Sequence, residues 1–143
     1  MRKKKEEKRI KEVKFVIPLN VPNKCNVIYS EDAMKPAIEE YLEKNKGKAM
    51  LGSLNPGLEH YSTVSSFINV SHQITDLKIE DGSIYGRALL LDTPMGKVVQ
   101  GLNDESSLTF APNVIGHIKT EKQDDGSWCQ KVIDCSIISI DII

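Results

Sequence analysis

The dipeptide Asp81-Gly82 separates two runs of strand-forming residues, and this arrangement constrains the fold more than any other feature of the chain. Residues 71–80 precede it and residues 83–91 follow it, and both runs are rich in β-branched and aromatic residues. Asp-Gly suits the positive φ values of the two-residue turns that join antiparallel strands. The sequence therefore predicts a β-hairpin in the middle of the chain.

Further strands are predicted on both sides of this hairpin. Residues 13–19 are apolar and β-rich, and Pro18 among them indicates a sheet edge or a strand end, because proline has no N–H for the ladder. The other predicted strands cover residues 26–29, 48–51, 107–110, 114–122 and 128–140.

Two helices are predicted between the strands. The first begins after Ser30, a good N-cap residue, and runs to about Asn45, although Pro36 suggests that its regular part starts nearer Lys35. Gly47 is expected to end it. Its predicted apolar stripe is Met34, Ile38, Tyr41 and Leu42, and the second helix, residues 95–102, is expected to turn Val98, Val99 and Leu102 inward. Many strands and two helices in an order other than βαβ predict an α+β fold, a mostly antiparallel sheet or barrel with two flanking helices.

Charge is distributed unevenly along the chain. Residues 1–14 carry eight bases and three acids, a net +5, and the remainder carries eleven bases and seventeen acids, a net −6, which together give the overall −1. The chain thus divides into a basic N-terminal arm, residues 1–12, and a single domain, residues 13–143. Such an arm can dock on an acidic protein surface or on nucleic acid, or remain a solvated tail. Because it contains no aromatic residue to stack on bases, direct DNA contact is not expected.

Cysteine usage and hydropathy limit the remaining classes. Cys25, Cys129 and Cys135 form no CxxC pair, and the last two would lie about 20 Å apart on one strand, too far for a disulfide. Free thiols in a reducing compartment are therefore expected, and with three histidines in the chain neither a metal nor a cofactor is predicted. No apolar run approaches the roughly 18–20 residues of a membrane span, and the chain begins with a charged run, so a cytoplasmic protein without membrane contact is expected.

Four sequence blocks follow one another in a characteristic order. They are residues 49–54 after the first predicted helix, the Val-Ser-His block at residues 70–77, the block at 84–88 that contains Tyr85-Gly86, and the Leu-Asp-Thr-Pro block at 91–97. Over roughly residues 26–140 the chain resembles the caudoviral prohead core protease family, whose fold is related to that of the herpesvirus assembly proteases. The resemblance implies that fold and a role in phage head maturation.

The resemblance fails at the two motifs that carry catalysis in the family. The family's base is a histidine in a Gly-Glu-Leu-x-His-Pro motif, but here Ser53 replaces the acid and Asn55 stands before Pro56. An amide cannot take a proton from a serine near neutral pH. The family's nucleophile lies in a Val-Ser-Ser-Arg-Gly motif, and the matching residues 107–113 contain no serine pair before arginine and glycine. No catalytic residue is therefore expected.

Some residues would still permit a serine-type reaction. His60, a few residues beyond Asn55, and His72, in the family-like block, are the candidate bases. The candidate nucleophiles are the hydroxyl-bearing residues Ser106, Ser107 and Thr109. Each histidine also has a structural interpretation: His72 as a strand residue, His60 as an exposed loop residue and His117 as a sheet-face residue.

The sequence thus predicts a bacteriophage head protein, assembled in the host cytoplasm and located in the virion. Its inactive prohead-protease fold would bind the major capsid protein or portal-proximal head proteins, and it would be able to form a homo-oligomer. The alternative is an active serine-type prohead endopeptidase that cleaves scaffold and capsid proteins. A small adaptor module unrelated to phage heads is the third hypothesis.

Overall fold

A computed structural model describes residues 11–54, 69–102 and 108–143, so residues 1–10 of the predicted arm lie outside the described residues. The secondary structure elements in chain order are β1 (Glu12–Pro18), β2 (Val27–Tyr29), α1 (Glu31–Lys44), β3 (Met50–Ser53), β4 (Val70–Glu80), β5 (Ser83–Leu90), α2 (Pro94–Gln100), β6 (Phe110–Lys122) and β7 (Trp128–Ile142). The predicted α+β class, mostly antiparallel with two helices, is confirmed.

The strands form two sheets that enclose one hydrophobic core. The first sheet has the order β1-β5-β4-β3 and is antiparallel throughout, and the second has the order β2-β7-β6, in which β2 and β7 run parallel. The sheets meet where Leu54 forms a parallel bridge with Ile142 and where the rings of Phe15 and Phe110 stack at 4.2 Å. The largest fully buried apolar side chains between them are Met34, Ile74, Ile84 and Ile140.

The predicted hairpin is confirmed. Strands β4 and β5 pair antiparallel, with Lys78 opposite Tyr85 and Ile79 opposite Ile84. The turn residues Asp81 and Gly82 have φ values of 51° and 74°. Two successive positive φ values match the right-handed twist of the flanking strands, which is why this dipeptide specifies the turn.

Helix α1 begins and ends as predicted, but its buried face differs. The Ser30 side chain accepts a hydrogen bond from the Ala33 N–H at 3.2 Å, and Asn45 is the C-cap. The helix is continuous from Glu31, so the later start suggested by Pro36 is wrong. Leu42 is exposed, and the buried positions besides Met34, Ile38 and Tyr41 are Ala33 and Ala37. This helix packs mainly against β7, and because Ala33 and Ala37 belong to its buried face, that face is centred away from Leu42.

Helix α2 also buries a different face from the one predicted. Val98 and Leu102 are 53% and 44% exposed, and Val99 alone of the predicted three is buried. The helix is short, and it turns Gly96, Val99 and Gln100, spaced three and four residues apart, toward the sheet. A Cβ at Gly96 would overlap the Leu91 carbonyl, so glycine permits this close packing.

One strand, β6, replaces two predicted strands. It runs without interruption from Phe110 to Lys122 and pairs with β7, in which Ile133 and Ile138 are bulged out of the ladder. Pro112 does not interrupt it, because the N–H of that position would point away from β7. Both Cys129 and Cys135 lie on β7, and all three cysteines of the chain are free thiols.

Candidate functional site

Segments of four strands converge at one end of the core. Gly52 and Ser53 come from β3, Ser71 and His72 from β4, Phe110 from the start of β6, and residues 140–142 from the end of β7. Pairing brings them together: Gly52 lies opposite His72, and Phe110 lies opposite Ile142. This is the region in which the sequence resemblance places an active site.

His72 is fully buried, and both of its ring nitrogens have hydrogen-bond partners. Nε2 lies 2.7 Å from the Ile140 carbonyl oxygen, and Nδ1 lies 2.7 Å from Oγ of Ser71. A carbonyl oxygen can only accept, so Nε2 carries the proton, and in the neutral ring Nδ1 accepts from the Ser71 hydroxyl. Each polar atom of this buried pair is thereby satisfied.

Neighbouring groups pack closely against the His72 ring. A Cβ at position 52 would overlap both Nε2 of His72 and the Ile140 carbonyl, so glycine is needed there. The Phe110 ring meets the imidazole edge-on at 5.3 Å between centroids. The imidazole is therefore a packed core group that ties β3, β4, β6 and β7 together.

Electrostatics at this end of the core favour a neutral His72. Burial lowers its pKa, while the hydrogen bond to Ile140 and the negative charge of Asp141 act in the opposite direction. Asp141 is itself buried and accepts a hydrogen bond from the Ser53 N–H at 3.0 Å. Burial raises the pKa of Tyr41 to about 12, and the Asp141 charge adds to that effect.

Thr109 lies beside this cluster but lines a different space. Its carbonyl accepts a hydrogen bond from the Ile143 N–H at 2.9 Å, which extends the β6–β7 ladder by one residue. Thr109 lines a cavity of about 310 Å³ between β1 and the start of β6, whose wall consists of residues 14–18, 21–23 and 108–111.

Of the predicted bases and nucleophiles, the structure describes His72 and Thr109. His60, Ser106 and Ser107 lie outside the described residues, as does Asn55, which the sequence resemblance aligns with the family's base. Among the hydrogen bonds of the described part, none joins the Thr109 hydroxyl to His72.

His117 lies on the distal part of β6, away from the convergence point. It is exposed on the sheet surface, and its Nδ1 is 2.7 Å from Oδ1 of Asp134.

No group of three or more metal-ligating side chains occurs within residues 11–54, 69–102 and 108–143. In the same ranges, no helix is long and apolar enough to cross a membrane.

Two polar members of this site were not predicted from the sequence. Ser71 directly precedes His72 in the family-like block, and this adjacency was the signal that the sequence offered. Asp141 is a single acid within an isoleucine-rich strand end, and such a residue requires a buried partner. The Ser71–His72 separation is that of a nucleophile and its base, but neither side chain is accessible to a substrate.

Comparison with solved structures identifies a similar fold. The capsid assembly protease of bacteriophage T4, gp21, superimposes with a TM-score of 0.70 at 16% sequence identity, over 92% of this chain and 79% of that chain. No protein-family model and no curated protein sequence matches the chain. The prohead-protease fold implied by the sequence resemblance is therefore confirmed.

Proposed function

We propose that this chain is a bacteriophage head protein that keeps the prohead-protease fold and has lost its catalysis. Its function would be to bind the capsid shell, through the major capsid protein or portal-proximal head proteins. The likeness to a capsid assembly protease supports the connection with phage heads. A binding surface needs complementarity and no chemistry, so it can persist after a catalytic site is lost.

The burial of His72 is the observation that carries the inactive half of this proposal. A general base must approach its nucleophile to within about 2.6–3.2 Å, or through one water molecule. His72 is fully buried, its two ring nitrogens are occupied by Ser71 and Ile140, and no hydrogen bond joins it to Thr109 within the described residues. Together with Asn55 at the family's base position, this arrangement supports a structural role for His72 and not a catalytic one.

The charge asymmetry supports the binding half. The predicted basic arm, residues 1–12, ends at the first residue of β1, and residues 14–18 of that strand form one wall of the cavity that Thr109 lines. An acidic patch on a head protein would attract such an arm. Packaged DNA is not proposed as a partner.

An active serine-type endopeptidase that cleaves scaffold and capsid proteins is the second candidate function. Thr109 favours it, because this hydroxyl-bearing residue lines a cavity in a chain with a protease fold. In that case Thr109 or Ser107 would be the nucleophile and His60 or His72 the base.

A cleavage assay separates the two functions. The wild-type chain, Thr109→Ala, His60→Ala and the control His117→Ala would each be incubated with unprocessed head proteins of the same phage. We expect intact substrates in every reaction and co-sedimentation of the chain with assembled heads. Cleavage by the wild type and by His117→Ala, lost in Thr109→Ala or His60→Ala, would establish the protease instead.

The composition of purified virions provides an independent test. A structural head protein remains in the particle at a fixed copy number, whereas a maturation protease usually processes its own termini and leaves. We expect mass spectrometry of virions to find the intact chain, from Met1 to Ile143, in constant proportion to the major capsid protein.

A further inference from the structure

The hairpin of β6 and β7 exposes several large apolar side chains in its distal half. Within residues 115–122 and 128–134, four large apolar side chains are between 48% and 60% exposed: Ile115, Ile118, Trp128 and Ile133. Ile118 and Trp128 lie on the same face of the hairpin as Val132, which is buried in the core. The face of the hairpin that packs on the core at Val132 therefore continues outward to Ile118 and Trp128, where the rest of the domain no longer covers it.

The outer edge of β6 also presents unpaired backbone groups. Strand β6 is the last strand of its sheet and pairs with β7. The Thr109 carbonyl and the Gln123 N–H both bond to the β7 side, so the odd-numbered residues of β6 face β7 and the even-numbered residues face outward. Pro112 occupies an outward position, consistent with this phase. From Val114 to Lys122, no described residue pairs with the outward N–H and carbonyl groups.

We infer that this edge pairs with the same edge of a second copy of the chain, antiparallel and related by a two-fold axis at Thr120. An isologous contact requires a surface that is complementary to itself. In this register Lys119 of each copy lies opposite Glu121 of the other, at non-hydrogen-bonded positions where side chains are closest. Two neighbouring registers keep the same hydrogen-bonding phase. With the two-fold axis at Lys119, the two Lys119 side chains lie opposite each other, and with the axis at Glu121, the two Glu121 side chains do. Charge therefore favours the register centred on Thr120 over its two neighbours, and Glu121 keeps Lys131 of its own chain at 3.8 Å in all three.

The same register covers part of the exposed apolar surface. Ile118 of one copy lies opposite Lys122 of the other, and the Lys122 ammonium sits 5.9 Å from the centroid of the Trp128 ring. The aliphatic stem of Lys122 and the indole thus provide an apolar surface for the isoleucine. Both copies contribute the contact, which joins two hairpins into a continuous four-stranded sheet.

Proline substitutions test the use of this edge by the full chain in solution. Ile118→Pro removes an outward N–H that the monomer does not use, so the monomer should keep its fold, verified by circular dichroism, and lose dimerisation in sedimentation velocity. Val16→Pro makes the same change on β1, the terminal strand of the other sheet, and should leave the dimer unchanged. A wild-type chain that is monomeric at its highest soluble concentration, or a dimer abolished by Val16→Pro alone, would overturn the inference.

Charge exchange tests the register without altering the backbone. Lys119→Glu and Glu121→Lys should each weaken the dimer several-fold, and the double variant should restore wild-type affinity at low salt. In hydrogen exchange, the amides of Ile118 and Thr120 should become protected as the concentration rises, whereas those of Lys119 and Glu121 are already protected in the monomer. Failure of the double variant to recover would contradict the proposed register. The inference concerns the isolated chain, so these outcomes leave the proposed head function untouched.

Discussion

At the scale of single residues, the packing where β3, β4, β6 and β7 converge depends on Gly52, His72 and the Ile140 carbonyl. Gly52 leaves the space that the His72 ring occupies, and His72 donates to the Ile140 carbonyl across a sequence separation of 68. Ser71 satisfies the remaining ring nitrogen. Each of these groups is needed for another to be buried without an unsatisfied polar atom.

We expect Gly52→Ala to lower the free energy of unfolding by about 2 kcal/mol or more, because the added methyl would overlap the His72 ring and a backbone carbonyl. Gly101→Ala is the matched control, since its Cβ would meet nothing closer than the Val98 carbonyl at 3.4 Å. Urea denaturation measures both. Equal stabilities of the two variants would show that the strands relax around position 52 without cost.

We expect the free energy of unfolding to decrease as the pH is lowered below about 6.5. This is the ordinary pKa of histidine, which His72 has in the unfolded chain. Burial lowers the pKa of His72 in the folded state, so between the two pKa values the unfolded chain binds a proton that the folded chain does not. The slope approaches about 1.4 kcal/mol per pH unit at most. Urea titrations between pH 7 and 5 should show this slope in the wild type and in His117→Gln. In His72→Gln the slope should be reduced, and an unchanged slope there would assign the effect to other groups.

At the scale of elements, capping and turn residues define where helices and strands begin and end. Ser30 and Thr93 both accept a hydrogen bond from the N–H three residues later, and each marks the start of a helix. Asp81-Gly82 has the same function between two strands. These signals are local in sequence, so they specify boundaries without reference to the rest of the fold.

We expect Asp81→Val to destabilise the protein by about 1 kcal/mol, because a β-branched residue at a φ of 51° is strained. Asp81→Asn should be neutral or slightly stabilising, since asparagine tolerates positive φ and forms the preferred Asn-Gly turn. Thermal denaturation of both variants measures the difference. Equal melting temperatures would mean that the turn conformation contributes little to stability.

At the scale of the whole molecule, the predicted arm of residues 1–12 overlaps the first strand of the folded domain. Strand β1 includes Glu12, and the Lys11 carbonyl accepts a hydrogen bond from the Leu90 N–H at 2.7 Å. The sheet therefore involves the chain from residue 11 onward, and an arm truncation that preserves the domain must end at residue 10.

We expect removal of residues 2–10 to leave the melting temperature unchanged and to weaken association with phage heads. Co-sedimentation of the full-length chain should decrease with salt, because the Debye length shrinks from about 10 Å at 0.1 M to about 3 Å at 1 M. The truncated chain should show a weaker salt dependence. Unchanged head occupancy after truncation would refute a docking role for the arm.

The sequence alone determined the features that depend on neighbouring residues. The central hairpin, the start of α1 at Ser30 and the α+β class followed from turn chemistry, capping and periodicity. The block order predicted the prohead-protease fold, and residues 52–57 and 107–113 are the basis on which an inactive site is expected.

The tertiary structure decided what depends on packing between distant elements. It placed the Ile140 carbonyl against His72 and Asp141 against the Ser53 N–H, and it exposed Leu42 while burying two alanines of the same helix. Sequence periodicity identifies an apolar face but not its partner, because strand register and helix placement arise from contacts across the whole core. The buried state of His72, on which the functional proposal rests, is therefore a property of the assembled sheets.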